Sequence, residues 1–334
     1  MKQEMKRHPN PSSVSRRSLC ALTAFAALIG SSAFAQTYPT RPVTMVVGAA
    51  AGGTTDIAGR MLADPLGKAL GQSVIVDNKS GASGVIAAVQ VKRAEPDGQT
   101  LLMQYSGYHV ISPHVVKQKQ WAPEDLRAVA NVLSAPQVVV VRADVPVKNM
   151  AELIAYAKAH PGKLTFASSG PGSLQHVTGA MLEQQAGIRI THIPYKGTGP
   201  ALQDLLGGQV DMTFGTPPPF MPFIQSGKLR AIAVTGKTRV ASLPGVPTAA
   251  EVGLPNLDAT SWFAVFAPAK TPQPVIDRLN AEISKIVATP AFQQKAAELG
   301  AMADYMNAKQ LDEFSKAEFV RWGKVVEAAK IEAE

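Results

Sequence analysis

Cysteine is nearly absent from this chain of 334 residues. The single one, Cys20, lies at the start of an apolar run near the N-terminus, so the chain beyond it has no thiol. Disulfides, thiolate metal sites and cysteine nucleophiles are excluded there. Long apolar runs are missing as well. The run from Leu19 to Ile29 is shorter than the roughly 20 residues a membrane span needs, and nothing downstream is longer and as apolar. Lys and Arg are scattered among Asp and Glu, with no basic patch interleaved with aromatics, so no nucleic-acid partner is expected. Catalytic signatures are also lacking. Neither SGASG nor SGPGS centres a serine between glycines as a nucleophile elbow requires, no HExxH occurs, and no glycine-rich loop ends in Gly-Lys-Ser or Gly-Lys-Thr. The five histidines beyond the apolar run, His109, His114, His160, His176 and His192, show no metal-ligand spacing with acids. No metal, no cofactor and no catalytic residue are expected.

What is present begins with an export signal. Lys2, Lys6, Arg7, Arg16 and Arg17 precede the apolar run, and Ala33-Phe34-Ala35 supplies the small-x-small pattern of a cleavage site. Cleavage after Ala35 is expected, with delivery to the periplasm. Arg16-Arg17 also fits a twin-arginine signal, and the general and twin-arginine routes both stay open. Set against Glu4, those five bases supply +4 of the formal charge of +8, leaving +4 for residues 36–334.

Along that remainder, short β-branched runs alternate with helical patterns: Val43 to Val47, Ser73 to Asp77, Thr100 to Gln104, Leu164 to Ala167, Arg189 to Ile193, Val210 to Phe214 and Leu229 to Val234. Such alternation predicts an α/β fold with parallel-rich sheets flanked by helices. Thr54 opens the first helix, Pro161-Gly162 stops the one from Met150, and Gly187 follows the one from Leu174. Two apolar strands, Pro136 to Val145 and Trp262 to Pro268, break the pattern and read as crossings between domains. One domain then comprises residues 36–136 and 262–334, the other residues 137–261, and the two crossings form a hinge. In the C-terminal part, Thr271-Pro272 caps a helix with the apolar stripe Val275, Ile276, Leu279, Ile283 and Ile286. Thr289-Pro290 starts another, and Leu311, Phe314, Trp322, Val325 and Ala329 mark a last one.

Two glycine-rich loops follow strands and open helices. In Ala51-Gly52-Gly53-Thr54-Thr55-Asp56, small residues allow close approach to backbone N–H groups at a positive helix end, and the threonines add hydroxyl donors. Ser168-Ser169-Gly170-Pro171-Gly172-Ser173 repeats the arrangement, with Ser173 as N-cap and His176 one turn later. Each loop alone also reads as a tight turn with an ordinary cap. Two of them after strands, one per domain, point to an anion held between the domains. Tyr105, Ser106, Tyr108 and His109 fall at a further strand end, as do Tyr195, Lys196, Thr198, Phe214 and Thr216; Trp262 stands beside the second crossing. Asp77 invites a dinucleotide reading, a cofactor-binding oxidoreductase exported folded, but Gly48-x-x-x-Gly52-Gly53 has the wrong glycine spacing for it.

The segments AGGTTDIAGR, VIVDNKSGASGVIAA, EPDGQTLL, SSGPGSLQH, YKGTGPALQDLLGGQVDM, GKLRAIAVTGKTR, LPGVPTAAEVGLP and FAPAKTP, in this order, resemble the periplasmic solute-binding proteins of tripartite tricarboxylate transporters, the TctC-like or Bug family. The resemblance implies a two-domain venus-flytrap fold. It also implies a monomer that closes on a small organic carboxylate and delivers it to the permease subunits of the transporter. Carried onto this chain, the ligand-holding positions are Ala51, Gly52, Gly53, Thr54, Thr55, Asp56, Ser168, Ser169, Gly172, Ser173 and His176; Tyr105, His109, Phe214 and Trp262 are added as candidate walls. Members of that family usually carry proline and an aromatic before Ala-Gly-Gly, where this chain has Gly48 and Ala49. A roomier pocket is expected there, with an aromatic dicarboxylate such as terephthalate as ligand, ahead of a four-to-six-carbon aliphatic di- or tricarboxylate.

Overall fold

The computed structural model describes Met1, residues 38–117, residues 119–329 and Ile331. The expected export signal, Cys20 included, lies outside the described residues. Residues from Tyr38 onward form one compact unit built on two sheets. The first has the order β11-β4-β10-β3-β1-β2, from β1 (Val43–Val47), β2 (Val74–Asn78), β3 (Thr100–Tyr105), β4 (Leu126–Pro136), β10 (Thr260–Pro268) and β11 (Met302–Met306). The second has the order β7-β6-β8-β5-β9, from β5 (Val138–Arg142), β6 (Thr165–Ser168), β7 (Thr191–Pro194), β8 (Met212–Gly215) and β9 (Leu229–Val234). Each sheet with its helices is called a lobe below.

Parallel pairing follows the helical crossovers, because parallel neighbours need a long return path. Helices Thr54–Leu70 and Val85–Lys92 return the chain so that β1 lies parallel to β2 and β3. Helices Leu174–Ala186 and Thr198–Leu206 do the same for β6 with β7 and β8. The remaining pairs are antiparallel: β10 lies against β3 and β4, β11 against β4, and β5 against β8 and β9. Alternation along β5 sorts its valines. Val139 and Val141 enter the core on one face of the second sheet, Val138 and Val140 the core on the other. A strand covered on both faces reads as an unbroken apolar run.

The lobes join where β4 ends at Pro136 and β5 begins at Val138, leaving Gln137 between two sheets. Its N–H donates to Ala259 O at 3.1 Å, and its carbonyl accepts from Thr235 N at 2.9 Å, so outgoing and returning segments run side by side. Two strands escape the sequence pattern. β4 carries three alanines and a proline instead of a β-branched run, and β11 is a half-exposed edge strand, MADYM. The three C-terminal helices are Gln273–Val287, Pro290–Glu298 and Ala308–Ala328. Thr289 caps the second, accepting from Phe292 N, and Asn307 with Gln310 forms a reciprocal capping box on the third. The first differs from expectation: its N-cap is Pro272, and the buried Thr271 hydroxyl has no partner. Among the described residues no helix is long and apolar enough to cross a membrane.

Candidate functional site

The first loop leaves β1 and enters helix Thr54–Leu70 through Gly53, whose side-chain-free N-cap leaves the helix-start donors without a side-chain acceptor. Gly52 turns the chain at φ 82°, a left-handed conformation that favours glycine. Asp56 fixes the loop from behind. Its carboxylate accepts from Gly52 N (3.0 Å), Asn78 Nδ2 (3.0 Å) and Arg60 Nε (3.0 Å), while Asn78 Nδ2 also donates to Ala49 O (3.0 Å). The Asp56 carboxylate and the Gly52 N–H are therefore engaged in holding the loop. Gly53, Thr54 and Thr55 line the space between the lobes, and the Thr54 hydroxyl meets that of Thr216 across it at 2.6 Å.

The second loop runs from β6 into helix Leu174–Ala186. Ser173 caps that helix, accepting from His176 N at 3.3 Å. Behind the loop, His176 and His192 stack with centroids 4.0 Å apart and planes 7° from parallel. His192 Nε2 pairs with Ser168 Oγ at 2.6 Å, and His176 Nδ1 accepts from Gly172 N at 3.3 Å. Burial holds His176 down at about 4, and burial together with the neighbouring His176 holds His192 at about 3. Ser168, Gly172, Ser173 and His176 thus shape the loop, and Ser169 is its member that faces the cleft. The unfolded histidines protonate below pH 6.5 while the folded pair does not until about 4, so stability is full above 6.5 and falls as the pH drops towards 4. Thermal melting should show this loss in wild type and a shallower one in His192→Phe. Equal acid slopes would remove the pair from that role.

A third helix start completes the site. Gly197, at φ 130°, turns the chain into helix Thr198–Leu206, and the added Cβ of a residue 197 side chain would stand 3.0 Å from Ala50 N in the other lobe. Gln175 ties the parts together. Its Oε1 accepts from Tyr105 OH (3.0 Å) and Ser169 Oγ (2.8 Å), and its Nε2 donates to Thr198 Oγ1 (3.2 Å). Tyr105 OH accepts from Leu174 N (2.9 Å), and Tyr108 OH donates to Ser169 O (2.6 Å). The lobes are closed on one another, and the space left between them is about 10 Å³, room for one water. None of the residues lining it carries a charge. Three helix starts, hydroxyls and amides supply its donors. Desolvation raises the Tyr105 phenol far above its usual range and pushes that of Tyr108 up to about 12, so both remain neutral donors.

The other candidate walls lie elsewhere. Tyr108 and His109 are neighbours on one helical turn and point in different directions: Tyr108 faces the cleft, while His109 stacks on Phe266 at 4.2 Å inside the first lobe. Burial there lowers His109 to about 3. Trp262 alternates with Ser261 and Phe263 along β10, so those two line the cleft and Trp262 packs behind the sheet against His109 and Phe314. Phe214 lies in the core of the second lobe, edge-on to Phe166. Four cleft residues were not singled out from sequence: Gln137, Gln175, Ser261 and Phe263. Period-two alternation beside Trp262 held a signal for Ser261 and Phe263. Nothing local marks the two glutamines. Among the described residues, no group of three or more His, Cys, Asp or Glu could hold a metal.

With this geometry in view, similarity to known proteins is informative. Residues 58–331 match the tripartite tricarboxylate transporter family receptor, TctC. A Cupriavidus necator protein described as the UPF0065 protein in the gbd 5' region is 38% identical over 316 residues, 94% of this chain and 95% of its own length. The periplasmic binding protein BugD has a similar structure, with a TM-score of 0.85 and 37% identity over 89% of this chain and all of BugD. R. palustris Rpa4515, solved with adipate, gives 0.87 and 34%, covering 89% of this chain and 100% of that one. MatC from Rhodopseudomonas palustris, with bound malate, gives 0.82 and 32%, covering 86% and 100%. The two sheets flanked by helices are thus the two-domain fold of periplasmic binding proteins, and the chain belongs to the TctC family of tripartite tricarboxylate transporter receptors, which bind solutes and are not enzymes.

Proposed function

We propose that this chain, exported to the periplasm by residues 1–35, captures a small organic dicarboxylate between its lobes and hands it to the membrane permease of a tripartite transporter. One observation carries the reading: three helix starts from two lobes meet at a single small, polar, uncharged space. A carboxylate there is neutralised by helix-end N–H groups and by the donors of Thr54, Thr55, Ser169, Gln175 and Thr198 in place of an ion pair. Because the closed lobes leave room only for a water, ligand enters by parting them, and the lobes close again over it with ligand in place of contacts such as Thr54 with Thr216 and Tyr105 with Gln175.

For the ligand we take a flat aromatic diacid such as terephthalate. Ala49 puts only a methyl on the cleft wall, beside the rings of Tyr105, Tyr108 and Phe263. Tyr105 lies 5.8 Å from Phe263 in a stacked arrangement and 5.1 Å from Tyr108 edge-on, and offset stacking on such rings adds about 0.5 to 1.5 kcal/mol. A second reading, an aliphatic diacid of four to six carbons, is favoured by the adipate and malate in the two R. palustris structures. Titration calorimetry with terephthalate, benzoate, succinate, adipate, malate and citrate separates them. Terephthalate is expected to bind tightest and Ala49→Phe to weaken it at least tenfold. Tight binding of the aliphatic acids alone, or terephthalate binding untouched by Ala49→Phe, would sink the aromatic assignment.

A further inference from the structure

Beside the closed cleft lies a second, larger chamber of about 570 Å³ at the seam between the lobes. It shares Tyr108 and Ser169 with the cleft, so the two spaces adjoin at that hydrogen-bonded pair. One side is the turn Gly81-Ala82-Ser83 with Val115 and Val116 from the first lobe; the other is Gly170-Pro171 with Pro194, Tyr195, Lys196 and Pro200 from the second. Most of this lining is apolar. Lys196 is the single charged residue in it, and among the described residues no carboxylate lies within 4.0 Å of its ammonium group.

The chamber's rim carries backbone strain. Ala82 and Ser83 stand at φ 46° and 49°, between Gly81 at 127° and Gly84 at 84°. Side-chain-bearing residues held left-handed are strained and persist where the surroundings impose them, often at ligand sites. Here the imposed feature is a clasp between lobes: Ser83 Oγ donates to Pro171 O at 2.7 Å. The chamber's floor is thus assembled only when the lobes meet, as the cleft is.

We propose that this chamber is a second ligand subsite, which receives the distal acidic group of a diacid whose first carboxylate sits in the cleft, with Lys196 as its counter-charge. Thr198 lines the cleft and Lys196 the chamber, and two residues of extended chain span at most about 7 Å. A short diacid bridges that distance. The apolar walls suit the carbon body between its two charges. Lys196 is an exposed cation at the rim, and it favours a second carboxylate over an uncharged tail by direct attraction through the solvent it shares with the ligand.

This inference rests on the dicarboxylate reading, and the test separates the two. Wild type, Lys196→Met and Lys196→Arg are titrated with terephthalate against benzoate and with adipate against hexanoate, after circular dichroism shows the variants folded. The diacid-over-monoacid preference, read as the ratio of Kd values, should fall about tenfold in Lys196→Met and persist in Lys196→Arg. It should also shrink with added salt in wild type, because an exposed charge is screened. Wild type that binds an acid with a ratio unchanged by Lys196→Met overturns the subsite and leaves the receptor reading intact. Wild type that binds none of the four, nor succinate or malate, overturns the dicarboxylate reading and the subsite with it.

Discussion

Gly199→Ala is expected to abolish tight ligand binding while both lobes stay folded. Gly199 lies in the first turn of helix Thr198–Leu206, where alanine is a better helix former by about 1 kcal/mol. Locally the change is favourable. Across the seam it is not: a Cβ at this position would stand 2.2 Å from the carbonyl oxygen of Ala51, and both groups belong to backbone that has no rotamer to yield. The two loops would have to separate by more than an ångström, which takes the helix starts away from one another. A hundredfold or greater loss of affinity is expected, about 2.8 kcal/mol, with an unchanged circular dichroism spectrum and a melting temperature no lower than wild type. Solution scattering should show wild type compacting with ligand and the variant remaining open. Gly245→Ala is the control, since a Cβ there meets nothing within 4 Å. Binding by Gly199→Ala within threefold of wild type would mean that the liganded form does not bring these loops together.

The second large effect is expected at Gln175. It is 5% exposed and holds Tyr105, Ser169 and Thr198 at once, so truncation leaves two buried polar groups and one half-buried one seeking partners. Each such group costs about 1–3 kcal/mol when left unsatisfied, and water entering the vacated space recovers part of it. Gln175→Ala should therefore weaken ligand binding by one to two orders of magnitude in calorimetry. Gln175→Glu separates geometry from charge. Its carboxylate keeps the bonds from Tyr105 and Ser169 but sets a like charge against the ligand, so at neutral pH it should bind more weakly than Gln175→Ala. If the glutamate variant binds as well as wild type, the anion does not approach this side chain.

Legibility in the sequence tracked how local each feature is. The first helix begins at Thr54 and the Leu174 helix carries its Ser173 cap because caps and glycine turns are decided within four residues. Strands β1 and β9 coincide with their apolar runs because valine, isoleucine and leucine there are covered on the sheet faces. β4 escaped because its burial comes from neighbours on either side, β10 and β11, and its alanines and Pro136 have no strand preference of their own. Faces were harder than elements. Phe214 and Trp262 stand near strand ends as the sequence suggests, and His109 in the helical turn after β3, yet a one-residue step turns a side chain from cleft to core, and only the packed lobe fixes which step is taken. Gln137 and Gln175 were silent because what they hold is remote: Gln137 bonds Ser261, 124 positions away, and Gln175 bonds Tyr105, 70 positions away.

The uncharged lining of the cleft has a consequence for proton accounting. Its two phenols are held neutral by burial, the histidines behind the second loop are held neutral as well, and none of the lining side chains is an acid or a base of the neutral range. At neutral pH the cleft's own side chains therefore neither take up nor release a proton when the lobes close. On the dicarboxylate proposal, calorimetry in buffers of different ionisation enthalpy would then read no proton exchanged by the protein, and any proton bound on capture belongs to the ligand.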